Sequence, residues 1–257
     1  MNQSERRRYL INALISEKKE YRNLAVPSDP SAQKQLLRSL MNVREAAPVS
    51  VEFEEVQNAY LQEVNQARGI VKLSDLQECQ KDLYLWQGDI TRLQTDAIVN
   101  AANSGMTGCY RPCHNCIDNC IHTYAGIQLR NYCSDMMIRQ GHEEETGKAK
   151  ITPAYNLPCR YVIHTVGPVV CGRLAQEHER LLVSCYRSCL ETAEENHLES
   201  IAFCCISTGV FMFPNERAAE IAVHTVNAFK EETNSRIKVV FNVFKDEDYE
   251  IYRRILV

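Results

Sequence analysis

The sequence predicts an α/β protein with a helix-covered, largely parallel sheet, preceded by a separate helical segment. Two observations support this prediction. From about residue 82 onward, short apolar runs alternate with longer amphipathic stretches, as in chains that connect parallel strands through helices. Before that point the chain has almost no glycine and no alternating strand pattern, which indicates a small helical unit.

Three helices are predicted in the first part of the chain. The first follows Ser4, which can cap it, and carries apolar residues at helical spacing over residues 10–15. A break over residues 26–30 precedes a second helix with apolar positions at 36–43, and a third helix covers about Val51 to Ala67. None of them carries residues typical of chemistry. We therefore expect a helical extension over residues 1–75 that supports a larger domain over residues 76–257.

The second part of the chain contains the predicted sheet. Strands are expected at residues 83–87, 97–103, 149–153, 160–166, 201–206 and 237–244, and helices at about 117–140, 173–196, 215–232 and 246–255. The apolar run that begins at Ala97 ends in polar residues, which is typical of a buried strand. In sheets of this kind, ligands bind beyond the carboxyl ends of the strands.

Composition excludes several classes of protein. The net charge of −4 and the pI of about 6.0 argue against a nucleic-acid binder. No apolar stretch approaches the ~20 residues of a membrane span, and the run at residues 10–15 is too short for a secretory signal. A cytoplasmic protein with reduced thiols is expected. Its twelve cysteines are then core residues, metal ligands or reactive thiols.

Residues 108–122 form the segment richest in metal-type side chains, with four of the twelve cysteines and two of the seven histidines. Cys109, His114 and Cys116 lie on its irregular part, where side chains can converge. Two thiolates and one imidazole suit Zn²⁺ and leave one coordination position open, as in catalytic zinc sites. The spacing favours one zinc ion.

Two alternatives remain for this loop. Cys109, Cys113 and Cys116 have a spacing that suits an iron–sulfur cluster, although this leaves His114 unexplained. The other alternative is buried free cysteine, which is the expected state of the cysteines on predicted core positions at 185, 189, 204 and 205. Whether Cys113 contributes to a metal site is left open.

Two further loops follow predicted strands. The carboxylate of Asp89 can accept a hydrogen bond from an amino group, or it can cap a turn. The segment 207–211 can hold a phosphate with its backbone N–H groups, or it can be an ordinary small-residue turn. Asn103, at the end of its strand, is either a ligand or a turn asparagine.

Four segments in order, 88–91, 97–103, 117–122 and 206–209, resemble the motifs of macrodomains. The resemblance covers about residue 83 to the C-terminus. The loop 108–119 further resembles that of the zinc-containing branch, whose members also carry a helical N-terminal extension. The resemblance implies a three-layer α/β/α macrodomain with a mixed, largely parallel central sheet that binds ADP-ribose.

The resemblance also implies roles for individual residues. Asp89 and the Ile90 backbone would bind the adenine, and Asn103 and Asp118 would lie at the distal ribose. Ile117 would be a further substrate-binding residue. The catalytic residues would be Asn103 and Asp118. The phosphate-binding residues would be Ser207, Thr208, Gly209, Val210 and Phe211. The ligands of one Zn²⁺ would be Cys109, His114 and Cys116.

The activity that this branch implies is a zinc-dependent hydrolase that removes mono-ADP-ribose from modified proteins. Such hydrolysis needs a positioned water and stabilisation of developing charge, which zinc, Asn103 and Asp118 can supply. Some members partner a sirtuin-type ADP-ribosyltransferase and a lipoyl carrier protein. The alternative functions are a non-catalytic ADP-ribose-binding module with a structural zinc, and an iron–sulfur enzyme. No nucleic-acid or membrane partner is expected.

Overall fold

The computed structural model describes residues 1–256, so Val257, the last residue of the predicted second domain, lies outside the described residues. The strands are β1 (Val71–Lys72), β2 (Glu78–Gln80), β3 (Leu83–Gln87), β4 (Leu93–Gln94), β5 (Ala97–Ala102), β6 (Ala149–Pro153), β7 (Tyr161–Val166), β8 (Ser200–Phe203) and β9 (Lys238–Val243). Seven of them form the central sheet in the order β2-β3-β9-β8-β5-β7-β6, while β1 and β4 form a small parallel pair.

The central sheet is parallel in its middle and antiparallel at both edges. β3, β9, β8, β5 and β7 pair in parallel, whereas β2 and β6 pair antiparallel with their neighbours. Strand β5 lies inside the sheet and is buried at nearly every position, which is why it appears in the sequence as a continuous apolar run. The prediction of a mixed, largely parallel sheet is confirmed.

Helices α1 (Gln3–Glu17), α2 (Pro30–Val43) and α3 (Val51–Ala67) form the N-terminal helical region. The later helices are α4 (Ile117–Ala125), α5 (Ile127–Gln140), α6 (Gln176–Glu195), α7 (Asn215–Thr233) and α8 (Asp246–Leu256). α7 packs between α6 and α8, whereas α4 and α5 contact each other and lie near strands β5 and β6. The predicted α/β fold with an additional helical region is therefore confirmed.

The helical region has a hydrophobic core of its own. Leucines at positions 10, 14, 37, 40 and 61 are buried in it, and Ile127 of α5 joins the same cluster. One detail of the sequence prediction is wrong: the cap of α1 is Asn2 rather than Ser4. The Asn2 side chain accepts the N–H of Glu5, whose carboxylate accepts the N–H of Asn2 in return, and this capping box starts the helix earlier.

Buried polar contacts attach the helical region to the rest of the molecule. Gln57 donates to Gln128 over 2.6 Å, and its Oε1 accepts the N–H of Ile127 over 3.1 Å. Asn65 donates to the carbonyl of Asn156 over 2.7 Å. Because a buried polar group without a partner is costly, these contacts fix one docking geometry for the helical region.

The single helix predicted over residues 117–140 is wrong, because it is divided into α4 and α5 at Gly126. Gly126 has a φ of +101°, which a helix cannot contain. A Cβ atom there would lie 2.7 Å from Gln128 Oε1 and 2.9 Å from Gln57 Nε2, so the position also needs a glycine for space. The remaining predicted elements are present with ends shifted by a few residues, and the short strands β1, β2 and β4 were not predicted.

Among residues 1–256, no helix combines the length and the apolar character needed to cross a bilayer.

Candidate functional site

The predicted ligand-binding segments gather at one edge of the sheet. Asp89 follows β3, Asn103 follows β5, and the segment 207–211 lies beyond the end of β8. These three strands belong to the parallel part of the sheet, so their carboxyl ends point to the same side. The loop 103–116, which leads from β5 into α4, lies at this same edge.

Cys109, His114 and Cys116 come together in that loop. Their potential ligand atoms all lie within 4.8 Å of one another, and the Cys109 Sγ to His114 Nδ1 distance is 3.5 Å. Burial, reinforced by the neighbouring Cys109, raises the pKa of Cys116 to about 12. Two close thiols and an imidazole that are only half-buried fit a thiophilic divalent cation such as Zn²⁺, whose charge would favour the thiolate forms.

Cys116 is also the residue that caps α4. Its Sγ accepts the N–H of Asn119 over 3.4 Å, so the thiol lies at the positive end of the helix. Ile117 is the first residue of the helix, and Asp118 follows in its first turn. The loop sequence therefore sets a metal-type cluster directly beside a carboxylate.

Cys113 and Cys120 lie outside this cluster. Cys113 Sγ is 3.2 Å from the Ser39 hydroxyl and 3.5 Å from the carbonyl of Gln35, both on α2. Cys120 is a residue of α4, and its Sγ lies 3.8 Å from an Arg38 nitrogen. The iron–sulfur alternative needs Cys113 beside Cys109 and Cys116, and the structure directs its side chain to the helical region instead.

Arg38 of α2 holds the loop from outside. Its guanidinium donates to the carbonyl of His114 over 2.7 Å and to Asn119 Oδ1 over 3.0 Å. Asn119 in turn donates to the carbonyls of Cys109 and Arg111. The helical region thus contacts the metal-type cluster directly, at the carbonyl of His114, and indirectly through the buried Asn119 amide, and no sequence pattern indicated this connection.

Asp118 is a buried carboxylate at the inner end of the site. Its oxygens accept Asn100 Nδ2 over 2.8 Å and Asn103 Nδ2 over 3.3 Å, and His122 Nε2 lies 3.6 Å from Oδ1. Burial raises the pKa of Asp118 to about 6, and the two amide donors together with the charge of Arg130 only partly offset that effect. The pKa of His122 is lowered, chiefly by burial, so this neighbour stays uncharged.

Asn103 connects the carboxylate to the metal-type loop. Its amide donates to Asp118 and, over 3.2 Å, to the carbonyl of Gly108, while its Oδ1 accepts the N–H of Gly105. The turn interpretation of Asn103 is confirmed, and its role as a ligand stays a prediction. Its exposed side chain remains accessible to a ligand.

Asp89 caps the short turn over residues 90–92 and is also partly exposed. Its Oδ1 accepts the N–H of Thr91 over 3.0 Å and the Thr91 hydroxyl over 2.6 Å. Its Oδ2 forms an ion pair with Arg68, which lies at the end of α3. Ile90 is buried. The prediction that Asp89 caps a turn is therefore confirmed. About a third of its side chain is still exposed.

The segment 207–211 has the features of an anion-binding loop. Ser207 has a φ of +66°, an uncommon conformation for a residue with a side chain. Within residues 1–256, its buried hydroxyl has no hydrogen-bond partner, and the N–H groups of Gly209, Val210 and Phe211 have no acceptor. Consecutive unpaired N–H groups on an exposed turn suit a phosphate. The Thr208 hydroxyl donates a hydrogen bond to the backbone carbonyl of Cys205.

Phe244 is a residue that the sequence analysis missed. It directly follows β9, the strand between β3 and β8, and its side chain is 75% exposed. A large exposed aromatic ring at the carboxyl edge of a sheet offers a stacking surface. The sequence does show an aromatic residue at the end of the strand predicted over residues 237–244. Its position beyond the sheet, rather than its residue type, was the signal that could have identified it.

A second group of metal-type side chains lies deeper. His122, Cys133 and His164 are all buried, with ligand atoms within 4.8 Å of one another. Both ring nitrogens of His164 have polar neighbours, at 3.1 Å from Asn100 Nδ2 and 3.0 Å from Thr152 Oγ1. Burial lowers the pKa of His164 to about 4, as expected for a neutral core histidine.

Comparisons with known proteins identify relatives of the whole chain. A family model described as the Macro domain matches residues 99–222. A protein-ADP-ribose hydrolase from Treponema medium is 55% identical over 260 residues, covering 100% of both chains. A protein of the same name from Staphylococcus aureus is 50% identical, covering 95% of this chain and 92% of that one. The crystal structure of a Trypanosoma brucei macrodomain in complex with ADP-ribose superposes with a TM-score of 0.67 at 29% identity, covering 90% and 97%.

Proposed function

The chain belongs to the macrodomain family, and from this premise we propose that it is a zinc-dependent hydrolase that removes mono-ADP-ribose from modified proteins. Relatives that match it over nearly their whole length are named protein-ADP-ribose hydrolases, and the chain is an enzyme of that class. The observation that carries the zinc part of the proposal is that three metal-type donors meet in the loop directly before the buried Asp118.

The nucleotide is proposed to lie along the carboxyl edge of the sheet. Asp89 and the Ile90 backbone would receive the adenine, with Phe244 as a stacking surface. The unpaired N–H groups of residues 209–211 would hold the diphosphate. The distal ribose would then reach Asn103 and Asp118. The order of these groups along the edge follows the order of strands β3, β9, β8 and β5, which supports an extended ligand.

Cys109, His114 and Cys116 would hold the zinc ion. An ion held by these three side chains would supply Lewis-acid chemistry, polarising an oxygen atom or lowering the pKa of a water molecule. The chain contributes the alignment of these donors, since Asn119 and Arg38 fix the carbonyls of the loop that carries them.

Asp118 is proposed to accept a proton during hydrolysis. One water is consumed: its oxygen bonds to the carbon that loses the protein, and a proton is returned to the departing protein side chain. Asp118 is buried directly after the loop of metal-type donors, and its carboxylate accepts only two amide hydrogen bonds, which leaves it acceptor capacity for a proton. Asn103, which donates to Asp118 and lies on the exposed side, would orient a ribose hydroxyl.

The proposed substrate is a mono-ADP-ribosylated protein. Within the resemblance that the sequence shows, the first candidate is a lipoyl carrier protein modified by a sirtuin-type ADP-ribosyltransferase. The proposed compartment is the cytoplasm, because all twelve cysteines are free and a reducing environment keeps them so.

The test combines metal content with product release. We expect purified protein to contain one equivalent of zinc by mass spectrometry and to release ADP-ribose from a mono-ADP-ribosylated protein. Cys116→Ala should lose both zinc and most turnover. Cys113→Ala is the matched control in the same loop and should keep both, because its thiol faces α2.

Full turnover by protein shown to be metal-free would refute the role of zinc. Tight ADP-ribose binding without any release from modified protein would favour a non-catalytic binding module. Retention of zinc by Cys116→Ala together with its loss by Cys113→Ala would contradict the assigned ligand set.

A further inference from the structure

We infer that Arg68, supplied by the helical N-terminal region, is a positioning residue for adenine recognition, because it orients the carboxylate of Asp89 toward the amino group of the base. This inference rests on the proposed function, in which Asp89 receives the adenine. Arg68 lies at the end of α3, outside every segment whose sequence resembled a nucleotide-binding motif.

The guanidinium of Arg68 is held on several sides. Nη1 donates to Asn65 Oδ1 over 3.1 Å, and Nη2 donates to the Thr91 hydroxyl over 2.8 Å and to Asp89 Oδ2. Its central carbon lies 3.5 Å from the centre of the Tyr124 ring, so one face is covered by an aromatic side chain. A side chain restrained in this way presents a fixed donor to Asp89.

Counting the hydrogen bonds that the Asp89 carboxylate accepts shows how many acceptor positions remain for a ligand. A carboxylate offers about four acceptor positions, two on each oxygen. The N–H and the hydroxyl of Thr91 occupy those of Oδ1, and Arg68 occupies one on Oδ2. One position on Oδ2 therefore remains, on a side chain that is 32% exposed. That position suits a single N–H donor, such as the 6-amino group of adenine.

Arg68 also balances charge at this place. The ligand proposed for the site carries a diphosphate, and an uncompensated Asp89 would repel it. The ion pair makes the Asp89 and Arg68 pair neutral as a whole, while leaving an oxygen available to a neutral base. Without Arg68, the carboxylate of Asp89 would lose its fixed orientation, and its negative charge would no longer be balanced near the ligand.

The inference predicts a change in base selectivity, which a merely structural role would not produce. The measurement compares the Kd of ADP-ribose with that of inosine diphosphate ribose, which carries a 6-oxo group in place of the 6-amino group. Wild-type protein should prefer ADP-ribose by about 10-fold or more, the usual consequence of a hydrogen bond to a charged group. Asp89→Ala should abolish the preference.

Arg68→Ala should lower the preference to below about 3-fold, while Arg68→Lys, which keeps the charge but loses the forked geometry, should be intermediate. The matched control is Arg92→Ala, because Arg92 lies in the same turn but bonds the carbonyl of Gly69 rather than Asp89. It should keep the wild-type preference. Thermal unfolding of each variant, measured in parallel, identifies any loss of fold, and Arg68→Lys carries the test if Arg68→Ala does not fold.

The outcomes separate this inference from the proposed function. If wild-type protein does not distinguish the two ligands, the placement of adenine at Asp89 is wrong and the inference falls with it. If wild-type protein distinguishes them and Asp89→Ala does not, but folded Arg68→Ala and Arg68→Lys keep the full preference, the placement stands and the role of Arg68 is refuted.

Discussion

Two aspartates near opposite ends of strand β5 have pKa values that are shifted in opposite directions. Asp96 immediately precedes the strand, at the amino edge of the sheet, and Asp118 lies at its carboxyl edge. Burial alone would raise the pKa of both. For Asp96, hydrogen bonds from Arg160, the Glu199 N–H and Ser200 outweigh burial, and its pKa is lowered. For Asp118, the pKa is raised to about 6.

The difference lies both in burial and in the charge of the donors: the Asp96 side chain is 19% exposed and that of Asp118 is 7% exposed, and only Asp96 accepts a hydrogen bond from a charged group. Asp96 Oδ2 accepts two backbone N–H groups and a hydroxyl, and its Oδ1 pairs with the Arg160 guanidinium. Asp118 receives two neutral amides. A carboxylate that accepts several hydrogen bonds and an ion pair, such as Asp96, connects neighbouring strands. A carboxylate that accepts fewer hydrogen bonds, such as Asp118, is available for proton transfer. We therefore expect Asp96 at the amino edge to contribute to stability, and Asp118 at the carboxyl edge to contribute to the proposed reaction.

The largest effect is expected at the carboxyl edge. Asp118→Ala should lower kcat for ADP-ribose release by on the order of 10²- to 10⁴-fold, the range for loss of a general acid or base. ADP-ribose should still bind, because the segments proposed for adenine and diphosphate are untouched. Steady-state kinetics and calorimetry measure the two effects. An unchanged kcat would remove Asp118 from the reaction.

At the amino edge, substitution of Asp96 should lower the free energy of unfolding rather than the activity. Asp96→Asn should lower the free energy of unfolding by about 2 kcal/mol at pH 7, since charge-assisted hydrogen bonds are lost, with kcat unaffected. The folded-state pKa of Asp96 is depressed, so its contribution is present above the unfolded value of about 3.9 and lost as the pH falls through the folded value. Urea unfolding at pH 7 and pH 3 should show the variant and wild type converging in acid. A constant difference would contradict this.

Arg38 extends the comparison to the helical region. Arg38→Ala should weaken zinc binding by about 10-fold, because residues that orient a metal loop from outside typically contribute that much. Competition with a chromophoric chelator measures the affinity without reference to turnover. Arg38→Lys should restore part of it. Equal zinc affinity in wild type and Arg38→Ala would show that the loop holds its own geometry.

The smallest effect is expected on the outer surface of that region. Arg6 of α1 pairs with Glu63 over 2.8 Å, and the carboxylate is 58% exposed. Arg6→Ala should change the free energy of unfolding by less than about 0.5 kcal/mol, because exposed ion pairs contribute little. Zinc affinity should be unchanged, which makes it the control for Arg38→Ala. A change in zinc affinity would mean that the helical region acts as a whole rather than through Arg38.

The sequence analysis succeeded where the signal is local. Alternating strand and helix patterns identified the α/β sheet, and the spacing of Cys109, His114 and Cys116 selected side chains that the structure brings together. The strand ending at Asn103 was recognisable because a buried parallel strand forms a continuous apolar run. Each of these features depends on residues close in sequence.

Contacts between distant residues could not be predicted in this way. Arg38 and Arg68 are ordinary arginines on helices, and only the docking of α2 and α3 brings them to His114 and Asp89. The break at Gly126 was missed for a similar reason. Its glycine is required by a φ of +101°, and the nearby Gln57 side chain belongs to a helix 69 residues earlier in the chain.

The buried amides between the helical region and the rest of the fold also constrain events during protein synthesis. Asn65 needs the carbonyl of Asn156, which is added 91 residues later. At ~5–20 residues per second, the ribosome takes ~5–20 s to supply it. For that interval the face of α3 that carries Gln57 and Asn65 can be hydrated only by solvent. The helical region can therefore reach its final packing only after residue 156 has been made.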